Sequence, residues 1–131
     1  MTQSPPSAEL WIKVTIPGVG QIGPGKINLL KMIREHESIS GAARAMKMSY
    51  RRAWLLVAEL NKLFARPLVA TWAGGKSRGG ASLTKLGEKL IESYDTVVEQ
   101  SVRVNRTVLT EIGRSVIREK AEPVMRAADV L

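Results

Sequence analysis

The sequence predicts a mainly α-helical fold with a small β component. Two short helical patterns lie a few residues apart within residues 38–64, and two short strand patterns flank a glycine-rich basic segment within residues 68–83. Apolar residues then recur at helical spacing as far as residue 108. A chain of 131 residues has room for one modest core and an added oligomerisation element. We therefore expect four segments: a disordered lead at 1–8, a compact domain at 9–84, a long helix at 85–113, and a helical or disordered tail at 114–131.

The first elements are predicted to be a strand, a loop and a helix. Apolar and polar residues alternate over residues 10–16, a period of two that predicts a half-buried strand. Its apolar members are Leu10, Ile12, Val14 and Ile16. Prolines and glycines at 17–25 break the pattern and predict a connecting loop. The stripe of apolar residues that follows predicts a first helix from about Lys26 to Glu37.

Two further helices are predicted with a tight turn between them. The second helix spans about Gly41 to Met46, with Ser38 or Ser40 as its N-cap. Ser49 is the predicted N-cap of the third helix, which continues to about Phe64. The packed face of the third helix is predicted to carry Ala53, Val57, Leu60 and Phe64, flanked by Trp54 and Asn61.

A hairpin and a long helix complete the predicted fold. Strands at 68–72 and 81–83 flank a glycine-rich tip, and Thr84 is positioned to cap a helix that runs to about Ile112. The apolar residues of this helix step by three and four, which approximates a heptad seam. A helix of about 28 residues extends about 42 Å, more than the small domain can cover, so we expect a homodimer. The predicted dimer interface contains Trp11, Leu90, Tyr94, Val97, Ser101, Val104 and Val108, with Trp72 at its edge.

This order of elements is that of a winged helix-turn-helix followed by a long dimerisation helix, and it predicts a reader of double-stranded DNA. The third helix opens with Ser49, Tyr50, Arg51 and Arg52, in the turn that reaches base edges in such folds. The arginine fork fits the O6 and N7 acceptors of guanine. A cation at a helix N-terminus interacts unfavourably with the helix dipole, at a cost of about 0.3–1 kcal/mol. A facing anion would offset that cost, which favours DNA contact over an incidental basic helix start.

Two further segments are predicted to contact the DNA backbone. The hairpin tip carries Lys76, Ser77, Arg78, Gly79 and Gly80, whose cations and small residues suit close approach to phosphates. A flexible loop of incidental composition is the alternative. Phosphate binding is also predicted for the start of the second helix, at Ser38 and Ser40. Ordinary capping explains those two serines equally well.

The charge distribution agrees with nucleic-acid binding. Residues 1–80 hold 12 Lys and Arg against 4 Asp and Glu, whereas residues 81–131 hold 8 of each. The whole net charge of +8 therefore belongs to the segment with the predicted helix-turn-helix and hairpin. A localised basic field of this kind is an electrostatic footprint for nucleic acid.

Composition argues against enzymatic and membrane functions. The chain has no cysteine and one histidine, His36, so neither a hydrolase triad nor a transition-metal site is expected within one chain. Ala53–Ala58 is the longest apolar run, far below the roughly 18 residues of a membrane span. The N-terminus lacks the features of a signal peptide. We expect a cytoplasmic protein that is not an enzyme.

The segments SISGAARAMKMSYRRAWLLVAELN and GGKSRGGASLTKLGEKLI resemble the N-terminal DNA-binding domain of the ModE family of molybdate-responsive bacterial transcriptional regulators. A more distant resemblance is to LysR-type regulators. The ModE resemblance runs from about Lys26 to Tyr94 and implies a homodimer on a palindromic operator. It matches residues 49–52 to the base-reading segment and residues 76–80 to the wing. Full-length members also carry C-terminal β-barrel domains that bind molybdate. Because only a helical tail follows the long helix here, we expect neither direct molybdate binding nor another cofactor.

A second interpretation remains open from the sequence. The long helix would pair with, or titrate, a heterologous regulator, and DNA contact would be secondary. Disruptive substitutions at Val97 and Val104 separate the two interpretations. If the protein is a homodimeric regulator, the variant should lose operator binding. If it is an interaction module, the variant should lose binding to its heterologous partner.

Overall fold

The computed structural model describes residues 7–73 and 79–116. Within these ranges the chain forms five helices and two antiparallel sheets of two strands each, which confirms the predicted fold class. The elements are β1 (Val14–Ile16), β2 (Gly20–Ile22), α1 (Pro24–His36), α2 (Ile39–Ala45), α3 (Tyr50–Leu63), β3 (Val69–Trp72), β4 (Gly80–Leu83), α4 (Lys85–Val104) and α5 (Arg106–Arg114).

The N-terminal region differs from its prediction. The expected strand over 10–16 is reduced to β1, and a second strand, β2, lies where a loop was expected. Val14 pairs with Ile22 across the sheet, and Gly18 supplies the left-handed conformation of the turn with φ 78°. Val14 and Ile16 are exposed, 39% and 36%. Contrary to the predicted half-burial, one chain alone does not cover the apolar side of β1.

Helix α1 lies at the centre of the core. Leu29, Leu30 and Ile33 are fully buried, and α1 contacts α2, α3, α4 and β4. The small residues Ala42 and Ala43 of α2 are also buried, and their size allows the backbones of neighbouring helices to approach closely. The core therefore holds α2 and α3 in a fixed relation to α1.

The caps of α2 and α3 follow the sequence prediction. Ser38, rather than Ser40, caps α2, since its Oγ accepts a hydrogen bond from the backbone N–H of Gly41 at 2.9 Å. Ser49 Oγ accepts from the backbone N–H of Arg52 at 3.1 Å. These caps fix where each helix begins.

Asn61 of α3 anchors the hairpin formed by β3 and β4. Its Oδ1 accepts from the backbone N–H groups of Leu68 at 2.9 Å and Val69 at 3.1 Å, and its Nδ2 donates to the Val69 carbonyl at 3.2 Å. On the opposite strand, the N–H of Ala81 donates to the carbonyl of Glu37, at the end of α1, at 3.0 Å. The hairpin is thus attached to α3 through the start of β3 and to α1 through β4.

The predicted continuous helix over 85–112 is divided in two. Thr84 caps α4 as expected, with Oγ1 accepting from the N–H of Gly87 at 3.1 Å, but α4 ends at Val104 and α5 begins at Arg106. Between them, Asn105 donates from Nδ2 to the carbonyl of Ser101 at 2.8 Å. An asparagine side chain that competes for helical carbonyls in this way weakens helix continuation. In the described part of the chain, no helix has the length and apolar character needed to span a membrane.

Candidate nucleic-acid interface

The first turn of α3 presents its polar and cationic residues to solvent. Ser49, Tyr50, Arg51 and Arg52 are all exposed, and no acidic residue lies in this turn. The positive end of the helix dipole adds to the charge of the two guanidinium groups. This end of α3 can therefore attract an anionic ligand and donate hydrogen bonds to it.

A groove lies between the first turns of α2 and α3 and the ends of β3 and β4 at Trp72 and Gly80. Its volume is about 480 Å³. Its lining comprises Ser38, Ile39, Ser40, Tyr50, Trp54, Thr71, Trp72, Ala73, Gly79 and Gly80. None of these described residues is charged. The structure thus brings together the predicted DNA contacts Ser38, Ser40, Tyr50, Gly79 and Gly80, whereas Lys76, Ser77 and Arg78 lie outside the described residues.

Three aromatic side chains dominate the surface of this groove. Tyr50, Trp54 and Trp72 are 56%, 50% and 51% exposed. The sequence pattern does not predict Trp54 and Trp72 as site residues, because it places Trp54 beside the packed face of α3 and Trp72 at the edge of the dimer contact. Tyr50 and Trp54 are four residues apart and so share one helix face, a spacing that could have indicated the arrangement.

Trp72 has a defined position because it pairs with a glycine across the hairpin. Trp72 faces Gly80 in the β3–β4 register, and a Cβ atom at position 80 would overlap the indole ring. The absence of a side chain at Gly80 therefore lets the ring lie across the neighbouring strand. This contact explains why a wide side chain at the end of β3 forms a wall of the groove.

Positive charge is concentrated in the segments that form the groove. Residues 38–73 contain six Lys and Arg and a single acidic residue, Glu59. The four cations on α2, the turn and the start of α3 are exposed: Arg44, Lys47, Arg51 and Arg52. The surface that combines the groove with the start of α3 thus offers hydroxyl donors and aromatic rings next to two exposed guanidinium groups.

Two ion pairs lie elsewhere and join α1 to α4. Lys31 Nζ is 2.9 Å from Asp95 Oδ1, and Arg34 Nη1 is 3.0 Å from Glu88 Oε2. Because both bridges are solvent-accessible, each contributes little to stability. They direct two acidic side chains of α4 towards α1.

The predicted dimer surface is only partly available on one chain. Val97, Val104 and Val108 are 44%, 79% and 52% exposed, and Ser101 is half-buried. Trp11 is also exposed. Leu90 is half-buried against the core.

Tyr94 requires a correction, because it belongs to the core of its own chain. It is buried, and its hydroxyl donates to the carbonyl of Ile12 at 2.6 Å. Burial and, to a lesser extent, the neighbouring Asp95 carboxylate raise the pKa of Tyr94. This hydrogen bond holds the segment that carries Trp11 against α4, one helical turn before Val97.

Within residues 7–73 and 79–116, no group of three or more His, Cys, Asp or Glu side chains could hold a metal ion. His36 lies exposed in the last turn of α1, where a cationic side chain complements the helix dipole.

The chain is similar to regulators and binding proteins whose names refer to molybdenum or to ModE, and no protein-family model matches it. It is 42% identical over 77 residues to the molybdenum-pterin-binding protein MopA of Rhodobacter capsulatus, covering 59% of this chain and 29% of MopA. With the transcriptional regulator ModE of Haemophilus influenzae it shares 36% identity over 89 residues, 68% of this chain and 35% of that protein. With the DNA-binding transcriptional dual regulator ModE of Escherichia coli K12 it shares 42% over 76 residues, 58% of this chain and 29% of that protein.

The matched part of this chain therefore spans about a third of the length of these relatives. None of these three names is that of an enzyme. The resemblance to ModE inferred from the motifs is confirmed for more than half of the chain, and the more distant one to LysR-type regulators stays a prediction. Over that part, the chain is similar to proteins named ModE and to molybdenum-pterin-binding Mop proteins.

Proposed function

We propose that the protein is a sequence-specific DNA-binding transcriptional regulator with a winged helix-turn-helix. The observation that carries the proposal is the first turn of α3, which presents Tyr50, Arg51 and Arg52 at a capped, dipole-positive helix end. The anchored hairpin lies beside it. Similarity to relatives named as transcriptional regulators supports the same function.

In the proposed complex, α3 enters the major groove through its first turns. Arg51 and Arg52 donate to base edges, with guanine O6 and N7 as the preferred acceptors. The β3–β4 hairpin acts as the wing and contacts the backbone, with Lys76 and Arg78 as the cations of its tip. Ser38 and Ser40, at the start of α2, face a phosphate.

We propose that the regulator acts as a homodimer. The apolar side chains of Val97, Val104 and Val108 are exposed on α4 and α5, and an exposed stripe of this kind marks an interaction surface. If two chains pack against each other through this stripe and are related by a two-fold axis, the two copies of α3 would enter successive major grooves about 34 Å apart. The expected operator is therefore palindromic.

We further propose that the target genes are related to molybdenum. The relatives named Mop are described as molybdenum-pterin-binding proteins, and the ModE of Azotobacter vinelandii is named a molybdenum transport protein. These names describe the relatives, and they identify which promoters to test first.

The test is binding of the full chain to a promoter fragment from its own gene neighbourhood and to random DNA, by fluorescence anisotropy at about 150 mM salt. We expect tight binding to the promoter and weak binding to the random duplex. Repeating the titration with molybdate asks whether the oxyanion changes the affinity. Weak, equal binding to both duplexes would contradict a sequence-specific regulator.

A second candidate function is a protein-interaction module that pairs with another regulator through its long helical region. The observation in its favour is the exposed stripe on α4 and α5, which suits a heterologous helix as well as a second copy. A Val97→Asp, Val104→Asp variant separates the two functions. Loss of operator binding together with the homodimer favours the regulator. If the variant still binds the operator but no longer binds another regulator, the interaction module is favoured.

A further inference from the structure

We propose that the groove between α2, α3 and the hairpin holds one sugar–phosphate strand of the DNA duplex. Trp54 and Trp72 pack against deoxyribose rings, and the surrounding hydroxyl groups donate to phosphate oxygens. The inference rests on the proposed function and adds the sequence-independent part of the binding site to it. Neither tryptophan is among the residues that the sequence predicts to contact DNA.

The chemistry of the lining favours backbone over bases. Among the described residues of the lining, the side-chain donors are the hydroxyl groups of Ser38, Ser40, Tyr50 and Thr71 and the indole N–H groups. Side chains of the kinds that commonly discriminate bases in pairs, Arg, Lys, Asn and Gln, are absent from the described lining. A DNA strand alternates apolar sugars with phosphate acceptors, and Ser, Thr and Tyr are frequent donors to those phosphates. Rings interspersed with hydroxyl groups complement this alternation.

The charge around the groove complements the same occupant. Lys47 is exposed in the turn before α3 and Arg51 is exposed in its first turn, next to Tyr50, so both cations lie close in sequence to a residue of the groove. A described lining of hydroxyl groups and aromatic rings beside these cations suits a polyanion, because phosphate oxygens can accept hydrogen bonds from the hydroxyl groups. The three half-exposed aromatic rings would be covered by the same strand.

The groove is preformed, which favours a direct contribution to affinity. Trp72 lies against Gly80, and Asn61 fixes the start of β3 through three hydrogen bonds. Because these contacts are made within the chain itself, we expect little of the interaction energy to be lost in ordering Trp72 on binding. Truncating a wall residue should therefore appear as weaker binding to any duplex.

The experiment compares Trp72→Ala and Trp54→Ala with wild type on the promoter duplex and on random DNA. We expect each variant to bind both duplexes about tenfold more weakly, equivalent to roughly 1.4 kcal/mol, with the ratio of the two affinities unchanged. Trp72→Phe should stay close to wild type because it keeps a ring over Gly80. Val19→Ala, an exposed apolar residue in the β1–β2 turn, is the matched control and should have no effect.

Replacing thymine by deoxyuracil in the promoter duplex distinguishes backbone contact from contact with thymine methyl groups. The loss of affinity caused by Trp72→Ala should be the same on both duplexes. If the loss disappears on the uracil duplex, or affects only the promoter, the groove reads bases and the inference is overturned.

The two proposals fail in different ways. If wild type binds no duplex, the proposed function fails. If wild type binds the promoter selectively and both tryptophan variants retain its affinities, the regulator stands and the backbone groove fails. Thermal melts confirm that the variants are folded, which is expected because both side chains are about half exposed.

Discussion

Arg51 and Arg52 are the residues on which selective recognition should depend. Changing both to alanine removes two guanidinium groups from the start of α3, and each good bidentate contact to a base pair is worth about 1–3 kcal/mol of discrimination. We expect the ratio of promoter to random affinity to fall towards one, measured by anisotropy. A double variant that retains the wild-type ratio would show that other side chains read the bases.

Asn61 should be the main polar contributor to the attachment of the hairpin. Asn61→Ala leaves the N–H groups of the buried residues Leu68 and Val69 without their acceptor, at a cost of about 1–3 kcal/mol each. We expect a total loss of about 2–6 kcal/mol in the free energy of unfolding, measured by urea denaturation.

The matched control for Asn61 is Thr110→Ala. Thr110 donates to the Arg106 carbonyl on an exposed helix surface, so the stability should change by less than about 0.5 kcal/mol. Equal effects of the two substitutions would mean that the Asn61 hydrogen bonds are not specific determinants of stability.

At the residue scale, local chemistry was predictable and long-range chemistry was not. Ser49 and Thr84 are recognisable as caps because a capping side chain bonds to its own helix two or three residues ahead. The Tyr94 hydroxyl bonds to Ile12, 82 residues away along the chain, and no local pattern indicates such a partner. Trp72 belongs to the groove because of Gly80, a relation that depends on strand register.

At the scale of elements, the stripe on α4 and α5 carries the proposed homodimer. Val104 is the most exposed of its valines at 79%, and Val104→Asp would bury an unpaired charge in the interface at a cost of several kcal/mol. We expect dimer affinity to fall by about two orders of magnitude or more, measured by sedimentation velocity.

Thr96→Asp is the control for the dimer prediction. It adds the same charge to an exposed position of α4 about 100° around the helix from Val97, and the dimer should persist. If Val104→Asp leaves the association state unchanged, the stripe is not the homodimer contact.

The elements that the sequence predicted well have long, regular patterns. Helices α1 and α3 begin and end within two residues of expectation because their apolar stripes span three turns or more. Strand β2 has three residues within a stretch of glycine and proline, too short for a period to be recognised. The end of α4 was missed because the seam continues past Asn105, whose hydrogen bond to Ser101 is not visible in apolar spacing.

For the whole molecule, the concentration of positive charge predicts a strong salt dependence of DNA binding. Removing one cation that neutralises a phosphate lowers the slope of log affinity against log salt by about one. Lys76→Ala and Arg78→Ala should each reduce the slope by that amount and weaken binding to promoter and random DNA equally. Unchanged slopes would mean that the hairpin tip does not touch the DNA.

A proposal about function could be drawn from the sequence, whereas the groove could not. Charge distribution and the motifs from Ser38 to Thr84 pointed to a ModE-like regulator, and similarity to proteins of that name extends over more than half of the chain. The groove could not be inferred, because its walls come from three elements that only packing brings together.

The most direct test of the central claim is selection of duplexes from a random DNA library by the wild-type chain. Selective recognition by a dimer predicts that the bound sequences converge on an inverted repeat, with half-site centres one helical turn apart, about 10 base pairs. The Arg51→Ala, Arg52→Ala variant should give no convergence. A wild-type pool that remains random after repeated selection would contradict sequence-specific regulation.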